Sequence, residues 1–484
     1  MKLNQLIANA PAFTIDHLMV DSRETLKNSI FFCLSGLMHN GHDFIDMAID
    51  HGAVAIVHSE PLKNTRPTIY YHQVQDPLAT LNDFAERFYG SPSNSLYIFG
   101  VTGTNGKSTI AYTIHNLLNS HHTSGYIGTI AIEYGKHRLP PLLTTPDIVP
   151  LHEMMADMVK AGTTTLALEV SSHGLEQNRV GSVGFDTVIF TNLTHDHLDF
   201  HGTMENYFES KKKLFTMVGP NQTAIINVDD PYGVRLLHET RARVLTYGIE
   251  DEADYRASDI QLHPESTDFT LHTPVGRYHV TTNLVAMFNV YNLLAIIAAL
   301  HQYGMELSDI IDKVAEVRQV DGRMEKIRCG QPFQVIVDYA HTPDGFEKAF
   351  AYAKAITPKS GKILTVFGSA GQRDVKKRPI LGQIASQYSE TVILTEEDPR
   401  SEDPLAICAD IAKGITGKYL TIENRYDAIE QAIQLANRND TIMILGKGDE
   451  DYLYREFGKE HWMGDQVAAR VILQALVSTQ EENQ

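Results

Sequence analysis

Apolar and polar positions follow two rhythms along this chain. Short apolar runs, rich in β-branched and aromatic residues, read as buried strands: "LYIFGVTG", "TTTLALEVSS", "DTVIFTNL" and "TAIINVDD". Longer stretches place apolar residues every three or four positions, as in "PLATLNDFAERFY", "STIAYTIHNLLNS" and, from Asn289, "NVYNLLAIIAALHQYG". These predict amphipathic or buried helices. Strand and helix alternate, which is the rhythm of βαβ units around a mostly parallel sheet. A second such series begins near Asp321, with "FQVIVDYAH", "KILTVFGSA", "ETVILTEE" and "DTIMILGKG". Between Glu86 and Ser95, "ERFYGSPSNS" breaks a helix with Gly, Pro and Ser before a strand opens. The expected architecture is α/β in three domains, at 1–92, 93–319 and 320–484.

Length agrees with this division, because 484 residues exceed what one hydrophobic core ordinarily serves. A formal charge of -19 with no long basic run argues against nucleic acid as a partner. The three cysteines, Cys33, Cys329 and Cys408, are scattered, which suits a reducing compartment rather than a disulfide or thiolate framework. The first residues lack the apolar core of a signal peptide, and "NLLAIIAALHQYGM" is too short to span a bilayer. A cytoplasmic protein without membrane insertion is expected, with a polar, frayed end at "VSTQEENQ".

The candidate chemistry starts at "SLYIFGVTGTNGKST", residues 95–109, where an apolar strand ends in a small-residue turn, a lysine and two hydroxyls. Small residues let backbone N–H groups approach an anion, and the helix that follows directs its positive end at it. In that layout Gly103, Thr104, Asn105, Gly106, Lys107, Ser108 and Thr109 cradle phosphates, with Lys107 neutralising charge and Ser108 binding Mg²⁺. The spacing is shorter than in the general phosphate loop, since only two residues separate Gly103 from the Gly106–Lys107 pair. A tight strand-to-helix turn with a solvated lysine is the plain alternative.

Two further strands end in polar groups: Glu169 in "ALEVSSHGLEQNRV", and His195, Asp196, His197 and Asp199 in "NLTHDHLDFHG". Parallel sheets present functional groups at such ends. A carboxylate and an imidazole there suit a second Mg²⁺ or Mn²⁺, although each residue alone reads as a cap or a hydrogen-bonded structural group. "MENYFESKKKLF" carries three lysines that composition assigns to a solvated helix face.

Taken in order, these motifs resemble the Mur ligases, ATP-dependent amide-forming enzymes of peptidoglycan precursor synthesis. The resemblance runs over nearly the whole chain, through "VTGTNGKST", "LEVSSHGLEQNRV", "NLTHDHLDFHGTMENYFESK", "FNVYNLLA", "VDGRMEKI", "VDYAHTPDG", "VFGSAGQRDVKKRP", "DPRSEDP" and "LGKGDEDY". The N-terminal "VDSRETLKNSIFFCLSG" resembles the UDP-binding domain of the branch that adds a diamino acid to UDP-N-acetylmuramoyl-L-alanyl-D-glutamate. The resemblance implies an N-terminal UDP-precursor domain, a central phosphate-loop ATP domain and a Rossmann-like C-terminal amino-acid domain. It implies ATP, two Mg²⁺ ions and a carbamylated Lys211, with a monomer expected. Lys107, Glu169, His197 and Lys211 take the catalytic positions, and Ser108, Glu169, His197 and Lys211 the metal positions. Asn289, Arg323, Asp338 and His341 match nucleotide-side positions. Ser22, Thr144, Thr145, Ser171, Gln177 and Arg179 match precursor positions. The reaction so implied phosphorylates the D-glutamyl carboxylate, and a free amine then displaces phosphate, with the C-terminal domain closing over the centre.

For the amino acid, the resemblance points to Arg373, Glu397, Asp398, Pro399, Arg400, Gly446 and Glu450. Arg400 suits the distal carboxylate of meso-diaminopimelate. Asp398 stands where the family has asparagine and Asp449 where it has histidine, and extra acids favour a distal ammonium, as on L-lysine. Ala286 stands where the family has glycine. Two other readings stay open: a phosphate-loop NTPase switch, and a catalytically weak regulatory relative.

Overall fold

The computed structural model describes residues 1–36, 39–119 and 123–482, with side chains to residue 476. Among the described residues the chain forms three α/β units, each around its own sheet. The first has four parallel strands, His17–Met19, Ser29–Phe32, Ala53–His58 and Tyr70–Gln73. The helix Pro77–Phe88 packs on it through Leu81, Phe84 and Ala85, and starts on an Asp76 cap that accepts from the N–H groups of Leu78 and Ala79.

The central sheet has eleven strands. Tyr97–Thr102 lies in its middle, parallel to Thr165–Glu169 on one side and to Thr187–Phe190 on the other. Ile98, Phe99 and Val101 are fully buried, as expected where a parallel sheet is covered on both faces. The long apolar helix predicted from Asn289 runs Met287–Tyr303 and is buried on nearly every side. The apolar runs did not predict the antiparallel extension Tyr255–Leu262, Thr267–Thr273 and Gly276–Thr282 at one sheet edge.

The third sheet orders its five parallel strands Gln334–Asp338, Thr441–Leu445, Ile363–Phe367, Thr391–Leu394 and Lys418–Thr421, with Glu325–Lys326 antiparallel at the edge. Arg425 is fully buried beneath it, paired with Asp465 at 2.6 Å and donating to the carbonyl oxygens of Glu396 and Leu445. That one guanidinium fixes the starts of both loops, Glu397–Arg400 and Gly446–Glu450, that the sequence marks for the amino acid. Losing one member of such a buried pair costs about 3–5 kcal/mol. The expected polar end continues as helix to Glu482; its last two residues lie outside the described ones.

Candidate active site

A cleft of about 740 Å³ opens where the central and C-terminal units meet. Successive parallel strands deliver its polar groups from their C-terminal ends, the usual place for ligands in such sheets. After Tyr97–Thr102 comes the glycine turn: Gly103 and Gly106 hold φ of +149° and +91°, conformations that suit glycine. A Cβ at Gly103 would lie on the Thr191 hydroxyl and one at Gly106 on the Asn292 carbonyl oxygen, so neither turn position tolerates a side chain. The helix Lys107–Leu118 then begins, pointing its free N–H groups into the cleft.

Lys107 is half-buried and donates to the carbonyls of Gly103, at 3.0 Å, and Thr104, at 2.9 Å. Burial holds its ammonium below the usual lysine range, with Glu169 and Asp196 opposing that shift. Glu169 is wholly buried. One oxygen accepts from the Tyr126 hydroxyl at 2.5 Å and the Thr129 N–H at 2.9 Å; the other accepts from the Ser108 hydroxyl at 2.9 Å. His197, in a left-handed conformation at the start of a short helix, meets His173 edge-on at 5.0 Å between ring centres. Burial pushes its imidazole down to about 3, Asp196 opposing and His173 and Lys107 adding to the shift, so it is neutral at physiological pH.

Lys211 lies on the buried face of the helix Met204–Thr216, with Tyr207, Phe208, Leu214 and Phe215. Its Nζ donates to the Gly103 carbonyl at 2.7 Å and lies 4.7 Å from the centre of the Tyr207 ring. Burial, then the charge of Lys107, hold its amine well below the usual range. Lys213 is exposed as expected. Lys212 departs from the expected solvated face, being half-buried in ion pairs with Glu209 and Glu239.

Ser108 and Glu169 supply hard oxygen donors and His197 a neutral imidazole, a set that fits a divalent cation such as Mg²⁺. Among the described residues no three His, Cys, Asp or Glu side chains are grouped to hold a metal ion.

Of the residues expected on the nucleotide side, Arg323 stacks on Tyr339 at 4.0 Å, and Asp338 accepts from the N–H groups of Met324 and Ala340. The C-terminal unit closes on the central one through Asn105–Asp344 at 2.9 Å, His195–Asp374 at 2.8 Å and His341–Asp196 at 3.9 Å. Asn289 does not face the cleft; its amide donates to Val285 and its oxygen accepts from Asn292, which does line it.

Of the residues expected on the precursor side, Thr144, Ser171 and Arg179 line the cleft. Thr145 is buried behind them and Gln177 is exposed outside the cleft; Arg179 donates to the Thr145 carbonyl at 2.7 Å and to the Gln177 oxygen at 3.0 Å. Thr145 in turn donates to the Glu169 carbonyl at 2.8 Å. Ser22 is outside this cleft, buried in the N-terminal unit, where its carbonyl holds His51 and its hydroxyl faces Met47.

Of the residues expected on the amino-acid side, Arg373, Glu397, Asp398, Arg400, Gly446 and Glu450 line the cleft, while Pro399 does not. Burial, with Asp398 beside it, raises the Glu397 carboxyl to about 7. The charge expected of Asp398 is not free. It pairs with Lys447 at 2.8 Å and accepts from the Tyr454 N–H at 3.0 Å.

Sequence comparison places the same geometry among known proteins. The Mur ligase middle domain matches residues 101–300, the Mur ligase glutamate ligase domain 322–448, and the Mur ligase family catalytic domain 14–89. The UDP-N-acetylmuramoyl-L-alanyl-D-glutamate--2,6-diaminopimelate ligase of Halalkalibacterium halodurans is 40% identical over 443 residues, covering 90% of each chain. The protein of that name from Geobacillus thermodenitrificans is 39% identical over 470 residues, covering 93% of this chain and 95% of its own. A solved structure of a ligase with this name aligns with a TM-score of 0.71 at 30% identity, over 99% of both chains.

This chain belongs to the Mur ligase family.

Within this Mur ligase, several residues in or directly behind the cleft escaped the sequence reading. Tyr126 and Thr129 hold Glu169, Asp344 meets the phosphate turn, and Lys447 binds two acids of the amino-acid side. Tyr126 and Thr129 stand within "SGYIGT", where a short apolar run ends in Gly-Thr, and that strand lies beside Thr165–Glu169. Nothing in the sequence announced the pairs that cross between units.

Proposed function

We propose that this Mur ligase joins a diamino acid to UDP-N-acetylmuramoyl-L-alanyl-D-glutamate at the expense of ATP, the amino acid being meso-diaminopimelate. The observation that carries this is one continuous cleft lined by the phosphate turn at Lys107, by Glu169, by the precursor-side Arg179 and by the amino-acid-side Arg400. An NTPase switch has no use for the last two.

A carboxylate does not react with an amine at neutral pH, so the D-glutamyl carboxylate first needs a leaving group. Its oxygen attacks the γ-phosphorus of ATP, ADP departs, and an acyl phosphate results. The amine then attacks the acyl carbon, phosphate leaves, and the amine loses a proton. Four anions crowd the first step, and Lys107 with the helix N–H groups offsets their repulsion. Divalent cations, held by Ser108, Glu169 and His197, would supply further charge neutralisation there. Tyr126 and Thr129 keep Glu169 oriented for that task. Arg179, braced by Thr145 and Gln177, steers the precursor's carboxylates, and Ser22 belongs with the uridine end. Arg323, Asp338 and His341 serve the nucleotide.

Lys211 is suited to carbamylation. A deprotonated amine adds to CO₂, forming an N–C bond and releasing a proton, and the product is an anion in place of a cation. Burial and Lys107 favour the neutral amine, and the anion would relieve the repulsion between the two lysines. The pairs at Asn105, His195 and His341 bring the C-terminal unit over the centre and exclude water. The three units at 1–92, 93–319 and 320–484 thus take the precursor, ATP and amino acid respectively. We assign the protein to the cytoplasm as a monomer, where ATP and the precursor meet.

Product analysis tests the reading. Incubation with ATP, Mg²⁺, precursor and meso-diaminopimelate should raise the precursor's mass by one diaminopimelyl residue; an unchanged precursor contradicts it.

A further inference from the structure

Lys447 has no exposed side-chain surface, yet it holds two acids of the amino-acid pocket at once, Asp398 at 2.8 Å and Glu450 at 2.5 Å. Both acids line the cleft, while Lys447 lies behind them. Glu450 is braced further by the hydroxyls of Tyr452, at 3.1 Å, and Tyr339, at 3.3 Å. Arg400, two residues from Asp398, also lines the cleft. Its guanidinium donates to the Gly371 carbonyl at 2.8 Å and lies 5.2 Å from the Tyr454 ring centre. It makes no ion pair with a carboxylate among the described residues. Two of the pocket's acids are therefore held on one lysine, and the Arg400 guanidinium is left without a carboxylate partner.

We propose that Lys447 is a specificity-determining residue: by engaging Asp398 and Glu450 it keeps Arg400 available for an amino acid whose distal end carries a carboxylate. The proposal rests on the ligase reading above. Without Lys447, Asp398 and Glu450 gain the freedom to turn to Arg400 and to repel an incoming carboxylate. A substrate with only a distal ammonium, such as L-lysine, would meet no such loss, because bare acids attract it. The same arrangement explains how Asp398 is compatible with a dicarboxylate: its charge already has a buried partner. Burial alone would lower the Lys447 ammonium, and Glu450 and Asp398 more than reverse that, so the lysine is charged when it does this.

The test compares kcat/KM for meso-diaminopimelate and L-lysine in the full-length enzyme, Lys447→Met, Asp398→Asn and the double variant. The natural enzyme should prefer diaminopimelate. Lys447→Met should lower the diaminopimelate-to-lysine ratio at least tenfold, and adding Asp398→Asn should recover at least threefold of that. A loss that falls equally on both amino acids, or no recovery, overturns the proposal. If circular dichroism shows Lys447→Met unfolded, the double variant is compared with Asp398→Asn instead; the same tenfold fall supports the proposal and an unchanged ratio overturns it. A natural enzyme that prefers L-lysine overturns the proposal and the choice of diaminopimelate but leaves the ATP-dependent ligation standing; one that uses neither amino acid overturns both.

Discussion

Lys211 Nζ donates to the carbonyl oxygen of Gly103 at 2.7 Å, the same oxygen that accepts Lys107 at 3.0 Å. Two ammonium groups on one acceptor would repel each other, which with burial favours the neutral amine at Lys211, and a carbamate there would replace that repulsion with attraction. Lys211→Ala should therefore lower kcat about 10–100-fold, as loss of a metal-orienting group does, with the precursor's Kd changed less than about threefold. Calorimetric binding beside steady-state rates separates the two effects; near-normal turnover removes the carbamate assignment.

Glu169 accepts from Tyr126, Thr129 and Ser108, so its carboxylate is fixed before any cation arrives. Glu169→Gln keeps an acceptor for Tyr126 and removes the charge. A Mg²⁺ titration of turnover should show a half-saturating concentration raised about 10–100-fold. An unchanged Mg²⁺ requirement would place the cation elsewhere.

Arg400 carries the distal carboxylate in this account. Arg400→Ala should weaken kcat/KM for meso-diaminopimelate by roughly 2–4 kcal/mol, the cost of truncating one partner of a buried charge pair. L-Lysine should lose far less. Equal losses would show that Arg400 does not read the distal end.

Glu397 is buried and its carboxyl raised to about 7, burial first and Asp398 second. The unfolded chain releases this proton near 4.5, so the folded state holds it over the interval between. Stability therefore falls as pH rises from about 4.5 to about 7, and neither state binds the proton above that. Glu397→Gln should flatten this part of a denaturation-versus-pH profile. An identical slope in the variant would assign the proton to another group.

Ala286 has φ of +77° and ψ of 148° and is wholly buried at the start of the Met287–Tyr303 helix. That region is close to glycine-only and costs a side chain on the order of 1–3 kcal/mol. Ala286→Gly should raise the denaturation midpoint, although glycine adds freedom to the unfolded chain. A lower midpoint would show that packing of the Ala286 methyl outweighs the strain.

These residues also show which parts of the molecule could be read from sequence. The strands before Lys107, Glu169 and His197 announced themselves as apolar runs, and their shared sheet brings those three groups together because parallel strands all end on one side. Lys211 was legible only through family resemblance, although Tyr207, Phe208, Leu214 and Phe215 place it on the buried stripe of its helix. Asp398 was misleading in isolation: its sign suggested repulsion, and its partner Lys447 stands on a loop after another strand. Asn289, Thr145 and Pro399 sit behind the cleft surface and Gln177 is exposed beside it, and they brace Asn292, Arg179 and the loop of Arg400. Sequence spacing does not distinguish a residue that touches a ligand from one that supports it.

The central claim is that ATP is cleaved only to activate a carboxylate that an amine then captures. Phosphate release measured with ATP and Mg²⁺, while precursor and meso-diaminopimelate are supplied singly and together, tests it most directly. Release should be sustained only when both are present, at one phosphate per amide formed. Steady release from ATP alone, at a rate neither compound changes, would contradict it.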